Sequence, residues 1–385
     1  MEIRTLGEIC NIVSGGTPSR SKAEFWNKGT IPWIKIGDIK GKYVNESEEF
    51  ITQKGIDGSS AKLLTKGTVL YTIFATLGEV SVLGIDACTN QAIAGIVIKD
   101  VSKLDTYYLY YYLKSKKAYV NSVGRGVAQN NINMSILRGF EVPLPGLFKQ
   151  KEIVDILDKV SRIIDNREQE LQKLDDLIKA RFVEMFGTLN SPSQEFTKAT
   201  LKELCNKITD GKHGGCKVEK GTERYFIGAR EIYDDEVHYD TAPEINVDEF
   251  EKDYKRCNIE IGDFLIVNTG ATIGKSAITT DERTEHTLLQ KSVALLKVKK
   301  ELLNPVFLKW CYRINIQMYI VESASAQPNL LLSKINSTVI YVPDIELQNQ
   351  FADFVHQVDK SKVAVQKALE ETQVLFDSLM QQYFG

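Results

Sequence analysis

The stretch TGATIGKSA at residues 269–277 holds the residue types of a nucleotide-binding loop: Gly270, Gly274, Lys275 and Ser276. Such a loop needs four residues between its outer glycine and the Gly-Lys pair, so that successive backbone N–H groups curl around phosphate oxygens. Here three residues separate Gly270 from Gly274, and the residue one step earlier is Thr269. The ring of donors is one residue short. His213 and Cys216, spaced His-x-x-Cys, would supply two zinc ligands, whereas a closed site takes four. An adenine methyltransferase requires an Asn/Asp-Pro-Pro-aromatic string. The chain has no Pro-Pro pair, its Asn304-Pro305 reads as a helix start, and no glycine-rich dinucleotide fingerprint follows a strand. These residues point away from catalysis by the chain and from any metal or cofactor of its own.

An internal repeat settles the first loop. TLGEICN (5–11) returns as TLKELCN (200–206), PWIKIGDI (32–39) as YFIGAREI (225–232), and GTVLYTI (67–73) as GDFLIVN (262–268). ATLG (75–78) returns as ATIG (271–274), AQNN (128–131) as AQPN (326–329), and EVPLP (141–145) as YVPDI (341–345). Order is kept throughout. Where the second copy has Lys275 and Ser276, the first has Glu79 and Val80, which would repel a triphosphate and cannot hold magnesium. The shared Ala-Thr-hydrophobe-Gly reads as a strand followed by a tight turn. Lys275 remains available to one phosphate as a point charge. Opposite His213 and Cys216, the first copy has Thr17 and Arg20, so the zinc reading finds no support there.

The 385 residues allow two domains or more, and 43% hydrophobic content suits a soluble globular chain. No apolar run approaches the ~20 residues of a membrane span, and the N-terminus has no signal-peptide pattern. Six scattered cysteines without a Cys-x-x-Cys pair suggest reduced thiols in the cytoplasm. Net charge is −3, which excludes a uniformly basic nucleic-acid binder. Charge is nevertheless uneven: residues 1–147 carry 17 basic against 13 acidic side chains, and residues 343–385 carry 3 against 7.

Each copy has two parts. The first mixes short strands and turns: GTVLYTIF, AIAGIVIK, GDFLIVN, SVALLKV and STVIYVP are β-rich runs. One helix recurs, at 105–123 and 304–323, with Asp105 and Asn304 as N-caps and Pro305 at the first helical position. The run Tyr107–Tyr112 reads as a helix face packed on the sheet rather than a base-stacking surface. The second part, residues 148–187, lacks proline and internal glycine. Ile153, Leu157, Val160, Ile164, Leu171, Leu174, Ile178 and Met185 recur at heptad spacing, with Arg167 and Arg181 as interruptions. Shifted by 198, the pattern returns as Phe351, Val355, Val358, Val365, Leu369, Phe376, Leu379 and Tyr383, broken at Lys362 and Thr372. So narrow a stripe needs a partner, and the other copy is the nearest. The short polar link 188–200 favours antiparallel pairing. The expected fold is α+β: two pseudo-two-fold-related mixed α/β regions, 1–147 and 188–342, separated by two long antiparallel coiled-coil helices, 148–187 and 343–385.

Two related, non-identical readers joined by rods suit duplex DNA, whose dyads match protein two-folds and whose major-groove faces recur about every 34–36 Å. A scaffold with two protein-binding heads, or a standalone DNA-modifying enzyme, are the other readings. TLGEICNIVSGGTPSRSKAEFWNKGTIPWIKIGDI (5–39), GVAQNNINMSILRGFEVPLP (126–145) with Gln150 after it, and LCNKITDGKHGGC (204–216) together resemble the specificity (S) subunit of type I restriction–modification systems. The resemblance covers essentially the whole chain. It implies two target recognition domains reading a bipartite, asymmetric DNA site, modification subunits docked on the helices, and a restriction subunit joining the complex. It also implies a non-catalytic subunit, with S-adenosylmethionine, ATP and Mg confined to the partners, and no membrane association.

Base readout calls for Arg or Lys toward guanine and Asn or Gln toward adenine, and phosphate contacts for cations, hydroxyls or free N–H groups. Such residues cluster in four loops. The candidates are Gly16, Thr17, Ser19, Arg20, Lys22, Arg125, Gln129 and Asn130 in the first copy, and Lys212, His213, Lys217, Gln327 and Asn329 in the second. Lys35, Asp38 and Arg230 at the ends of matched strands, and Thr76 and Lys275 at the shared turn, complete the set. Residues alike in both copies suit structure or phosphate better than base reading, because unlike half-sites need unlike readers.

Overall fold

The computed structural model describes residues 2–124, 131–319 and 329–385. Arg125, Gln129, Asn130 and Gln327 lie outside the described residues. The chain forms two compact units: Met1–Glu168 with Lys367–Gly385, and Gln169–Gln366.

The first unit contains β1 (Glu2–Thr5), β2 (Cys10–Ser14), β3 (Ile31–Ile34), β4 (Tyr43–Val44), β5 (Phe50–Ile51), β6 (Val69–Thr72), β7 (Val80–Leu83), β8 (Cys88–Thr89), β9 (Ile93–Ile98) and β10 (Glu141–Leu144). Five strands form a sheet in the order β2-β9-β6-β7-β4, and three form a second in the order β5-β3-β8, with β3 and β8 parallel. β1 pairs antiparallel with β10. Residues of a strand point alternately to its two faces, and both faces here are dry. Val69, Tyr71, Ala94 and Ile96 join one core, while Leu70 and Ile93 join another. That is why VLYT is buried at every position and reads as a continuous apolar run.

The second unit repeats the plan with β11 (Thr197–Thr200), β12 (Cys205–Asp210), β13 (Tyr225–Ile227), β14 (Ile232–Tyr233), β15 (Glu236–Val237), β16 (Phe264–Val267), β17 (Ser276–Ile278), β18 (Thr287–Leu289), β19 (Val293–Val298) and β20 (Val339–Val342). The main sheet runs β12-β19-β16-β17, β13 pairs parallel with β18, and β11 pairs antiparallel with β20. Phe264, Ile266, Ala294 and Leu296 face one core; Leu265, Val267, Val293 and Leu295 face the other.

The recurring helix is α1 (Thr106–Ser115) in the first unit and α3 (Pro305–Ile314) in the second. Asp105 accepts from the N–H groups of Tyr107 and Tyr108, and Asn304 from that of Val306, as cap residues do. Tyr108 to Leu113 are buried at six consecutive positions, so the helix is covered on every side rather than along one face, and these tyrosines pack in the core. Both helices are shorter than the sequence suggests. α1 stops at Ser115, and a separate helix begins at Lys117. α3 stops at Ile314; the next residue, Asn315, has a buried amide that donates to the Cys311 carbonyl and accepts from the Leu189 N–H, so the side chain competes for helical hydrogen bonds.

Two 40-residue helices follow the mixed regions, α2 (Leu147–Phe186) and α4 (Ile345–Phe384). In the first unit Ile153, Leu157 and Val160 of α2 share a core with Phe376, Met380 and Phe384 of α4. In the second, Ile178, Phe182 and Phe186 share one with Phe351, Val355 and Val358. The heptad pattern omits Phe182, Phe186, Met380 and Phe384 because these residues face the mixed regions as well as the other helix. Phe186, for instance, lies 4.9 Å from Phe307 of α3. Lys362, an interruption in the pattern, pairs with Asp175 at 2.9 Å.

A buried glutamine pins each helix start to its mixed region. Gln150 accepts from the Asp105 N–H at 2.9 Å and donates to the carbonyls of Lys103 and Pro145, each at 2.8 Å. Gln348 accepts from the Asn304 N–H at 2.9 Å and donates to Leu302 and Pro343 at 3.0 and 2.7 Å. Both amides are fully inaccessible to water and fully satisfied. Replacing Gln348 by Leu strands one N–H and two carbonyls in the interior. We expect a stability loss of about 3 kcal/mol, read as a lower urea midpoint. An unchanged midpoint would show that the amide does not pin the helix.

Candidate nucleic-acid interface

In each unit the main chain gathers several strand ends into one rim. In the first, the Gly15 N–H donates to the Ile93 carbonyl at 3.1 Å and the Gly16 N–H to that of Thr89 at 2.8 Å. The Asn90 N–H donates to Ile34 at 3.0 Å, and the Ile132 N–H to Ile73 at 3.1 Å. In the second unit the Gly211 N–H donates to Val293 at 3.2 Å and the Lys212 N–H to Leu289 at 2.7 Å. The Gln290 N–H donates to Ile227 at 2.8 Å, and the Leu330 N–H to Asn268 at 2.7 Å. The two sets correspond bond for bond. Residues 14–17, 34–38, 73–79, 89–92 and 131–132 form one rim; 210–213, 227–231, 268–275, 289–292 and 329–330 form the other.

Gly15 and Gly211 are required by close approach: a Cβ would lie 2.5 Å from the Thr89 carbonyl oxygen in one rim and 2.1 Å from that of Leu289 in the other. At the next position Gly16 allows no side chain either, since a Cβ would stand 2.4 Å from the Ala61 nitrogen. Its carbonyl accepts from the Trp33 indole at 2.9 Å. Gly16 is therefore a structural residue. The second copy carries Lys212 there.

The shared turn is structural. In ATIGKS, the N–H groups of Ile273, Gly274 and Lys275 donate to the carbonyls of Gly270, Val267 and Thr272. They are consumed within the turn and form no phosphate cradle. Gly274 has φ +95°, and a Cβ there would stand 2.5 Å from the Tyr319 ring. In ATLG, Gly78 has φ +81°, and the Glu79 N–H donates to the Thr72 hydroxyl. The Thr76 side chain is exposed, and its carbonyl accepts from Thr72.

Many candidate side chains are engaged within the protein. Arg20 pairs with Glu49 at 2.5 Å and lies 3.7 Å over the Trp26 ring. Its hydrogen bond, with that of Lys35, holds the Glu49 carboxyl below the usual carboxylate range. Lys35 contacts Glu49 at 2.9 Å and Glu48 at 3.2 Å. Asp38 accepts from the Lys35 N–H at 2.7 Å, closing a turn that Glu231 closes in the second unit by accepting from Gly228. Lys22 lies over Phe25, and Ser19 contacts the Ser21 hydroxyl. Lys212 is held by Asp253 at 2.8 Å and Glu249 at 3.3 Å, and these bonds raise its pKa. His213 reaches the Asp210 carboxylate at 3.3 Å while its ring stays largely exposed. Asp210 is itself anchored by Arg256.

Others remain open to solvent. Thr17 is exposed and donates its hydroxyl to Gln91. Lys217, Arg230, Lys275 and Asn329 are exposed, and Asn329 accepts from the Thr269 hydroxyl at 3.2 Å. The side chains of Arg230 and Lys275 have no hydrogen-bond or ion-pair partner among the described residues. Two exposed rim residues escaped the sequence reading: Gln91 and Lys291. Both stand just before a strand recognised only by its apolar run, and the turn holding them carries no glycine or proline to mark it.

Fold and rims define a tandem α/β module whose copies share a main-chain scaffold, differ in their exposed side chains, and each end in a long helix. Residues 1–176 and 193–373 each match the type I restriction modification DNA specificity domain, and the chain belongs to this family. It is 24% identical over 378 residues to the specificity subunit of the type I restriction enzyme EcoprrI of Escherichia coli, covering 92% of this chain and 86% of that one. It is 28% identical over 172 residues to the EcoR124I/EcoR124II specificity subunit of Escherichia coli, covering 43% of this chain and 42% of the relative, under half its length. The fold is similar to a crystal structure of a type I restriction–modification S subunit from M. genitalium, with TM-score 0.55 and 17% identity, covering 100% of this chain and 96% of that one. No helix among the described residues is long and apolar enough to cross a membrane.

The turn geometry predicts that Gly274→Ala lowers stability by roughly 2 kcal/mol, through positive φ and the clash with Tyr319. Gly221→Ala is the control, with φ +79° but nothing within 4 Å of its Cβ. Equal thermal midpoints for the two variants would contradict a clamped turn.

Proposed function

We propose that this chain is the DNA sequence-specificity subunit of a type I restriction–modification complex, each rim reading one part of a bipartite, asymmetric site. The observation that carries this is the pair of rims, alike in main-chain bonding and unlike in exposed side chains. A scaffold fixed by backbone hydrogen bonds leaves side chains free to differ without refolding, as unlike half-sites require. Exposed Thr17, Lys217, Arg230, Lys275 and Asn329 supply contacts to bases or phosphates, with His213 beside them. Arg20, Lys35 and Lys212 hold their loops through carboxylates, which leaves them fewer donors for DNA. The N-terminal half of α2 packs with the C-terminal half of α4, and the reverse, which supports an antiparallel coiled coil that sets the unread gap between the parts.

The subunit selects sequence and does no chemistry. Modification subunits dock on the helices and a restriction subunit joins them. S-adenosylmethionine, ATP and Mg belong to those partners, and the complex works in the cytoplasm beside the host's DNA.

Exchanging residues 1–147 for those of a family member tests the reading. Methylation mapping should show one half of the recognised sequence replaced and the other retained; replacement of both halves would contradict separate readers. Lys275→Ala and Arg230→Ala should weaken binding of random duplex and lower the salt dependence by about one counterion each if they meet phosphate, with unchanged thermal midpoints. Binding equal to wild type for both variants would remove them from the interface.

A further inference from the structure

Four backbone correspondences fix which residues occupy the same place in the two rims. Asn90 and Gln290 donate to the ends of β3 and β13; the Ile93 and Val293 N–H groups donate back to Asn90 and Gln290 at 3.2 and 2.9 Å. Gly15 and Gly211 donate to Ile93 and Val293, and residues 16 and 212 donate to the carbonyls that end β8 and β18. Between these fixed points the chain has no insertion, so Gln91 and Lys291 occupy one position, and Thr17 and His213 another beside it. Gln91 and Lys291 are both exposed.

Their hydrogen-bonding capacities differ in kind. The Gln91 oxygen accepts from the Thr17 hydroxyl, which orients the amide and leaves its second lone pair and both N–H donors without a partner among the described residues. An amide offering one acceptor and one donor side by side matches adenine N6 and N7. Lys291 offers only donors, and its ammonium has no hydrogen-bond or ion-pair partner among the described residues. Donors without an acceptor match the O6 and N7 of guanine. In the second rim His213 turns to Asp210 instead, so Lys291 keeps its full reach.

We propose that Gln91 and Lys291 are equivalent specificity-determining residues, Gln91 selecting adenine in one half-site and Lys291 selecting guanine in the other. This deepens the proposed DNA reading and rests on it.

The test is selection of bound sequences from a pool of randomised duplexes by the full chain, comparing wild type, Gln91→Lys, Lys291→Gln and Lys291→Arg. Wild type should enrich a two-part sequence. Gln91→Lys should change one base pair of one part from adenine toward guanine, with preference shifted by about tenfold or more. Lys291→Gln should make the opposite change at one base pair of the other part, and Lys291→Arg should keep guanine. Both residues are exposed, so the variants should keep the wild-type thermal midpoint. If Gln91→Lys and Lys291→Gln enrich the wild-type sequence, these side chains do not read bases and the proposal falls while the DNA reading stands. If each variant alters both parts, the assignment of one residue to one half-site is wrong. If wild type enriches nothing, the functional reading fails, and the proposal with it.

Discussion

Both rims hang on a backbone hydrogen bond at the end of a short parallel strand: Thr89 accepts from the residue after Gly15, and Leu289 from the residue after Gly211. That bond folds the loop after β2 or β12 down onto the sheet edge. The approach is so close that only glycine fits at the first loop position in each copy. Beyond those glycines, a main-chain anchor asks little of neighbouring side chains. Rim sequence can therefore vary while rim shape stays, and a duplicated module can come to carry two different surfaces.

Beneath the rims, packing supplies rigidity. The central strands alternate between two cores, so every residue of VLYT and of FLIV is buried. The buried amides of Gln150 and Gln348 then tie the cap of α1 or α3 to the start of the following long helix. In the first unit a charge adds to this link. Lys42, ahead of β4, meets Asp158 of α2, with the Tyr107 and Tyr111 rings 4.6 and 5.2 Å away. An ammonium that faces a carboxylate and aromatic rings together fixes the turn against the helix. Backbone bonds, packing and these polar contacts join rim, sheet and helix within the unit.

Much of this was legible in the sequence, for definite reasons. Repeated strings gave the duplication, and the mismatch of Lys275 with Glu79 exposed the false nucleotide loop. Asp105 and Asn304 announced their caps, and heptad spacing announced the long helices. Other features were hidden because they depend on distant residues. Arg20, Lys35 and Lys212 are cations in polar loops, and only the fold brings Glu49, Glu249 and Asp253 to them. Phe182, Phe186, Met380 and Phe384 fall outside the heptad because each helix end meets a sheet domain as well as a second helix. Gln91 and Lys291 were invisible for the opposite reason: nothing local marks them, and only the matched backbone bonds show that they share a position.

Two separate readers of unlike sequence are what the duplicated rims are built to be. Mapping, base pair by base pair, the duplex bound by the full chain tests this most directly. Two specified blocks of different sequence, divided by a gap of fixed length in which any base is accepted, are the predicted result. A single uninterrupted block, or two blocks identical under the dyad, would contradict it.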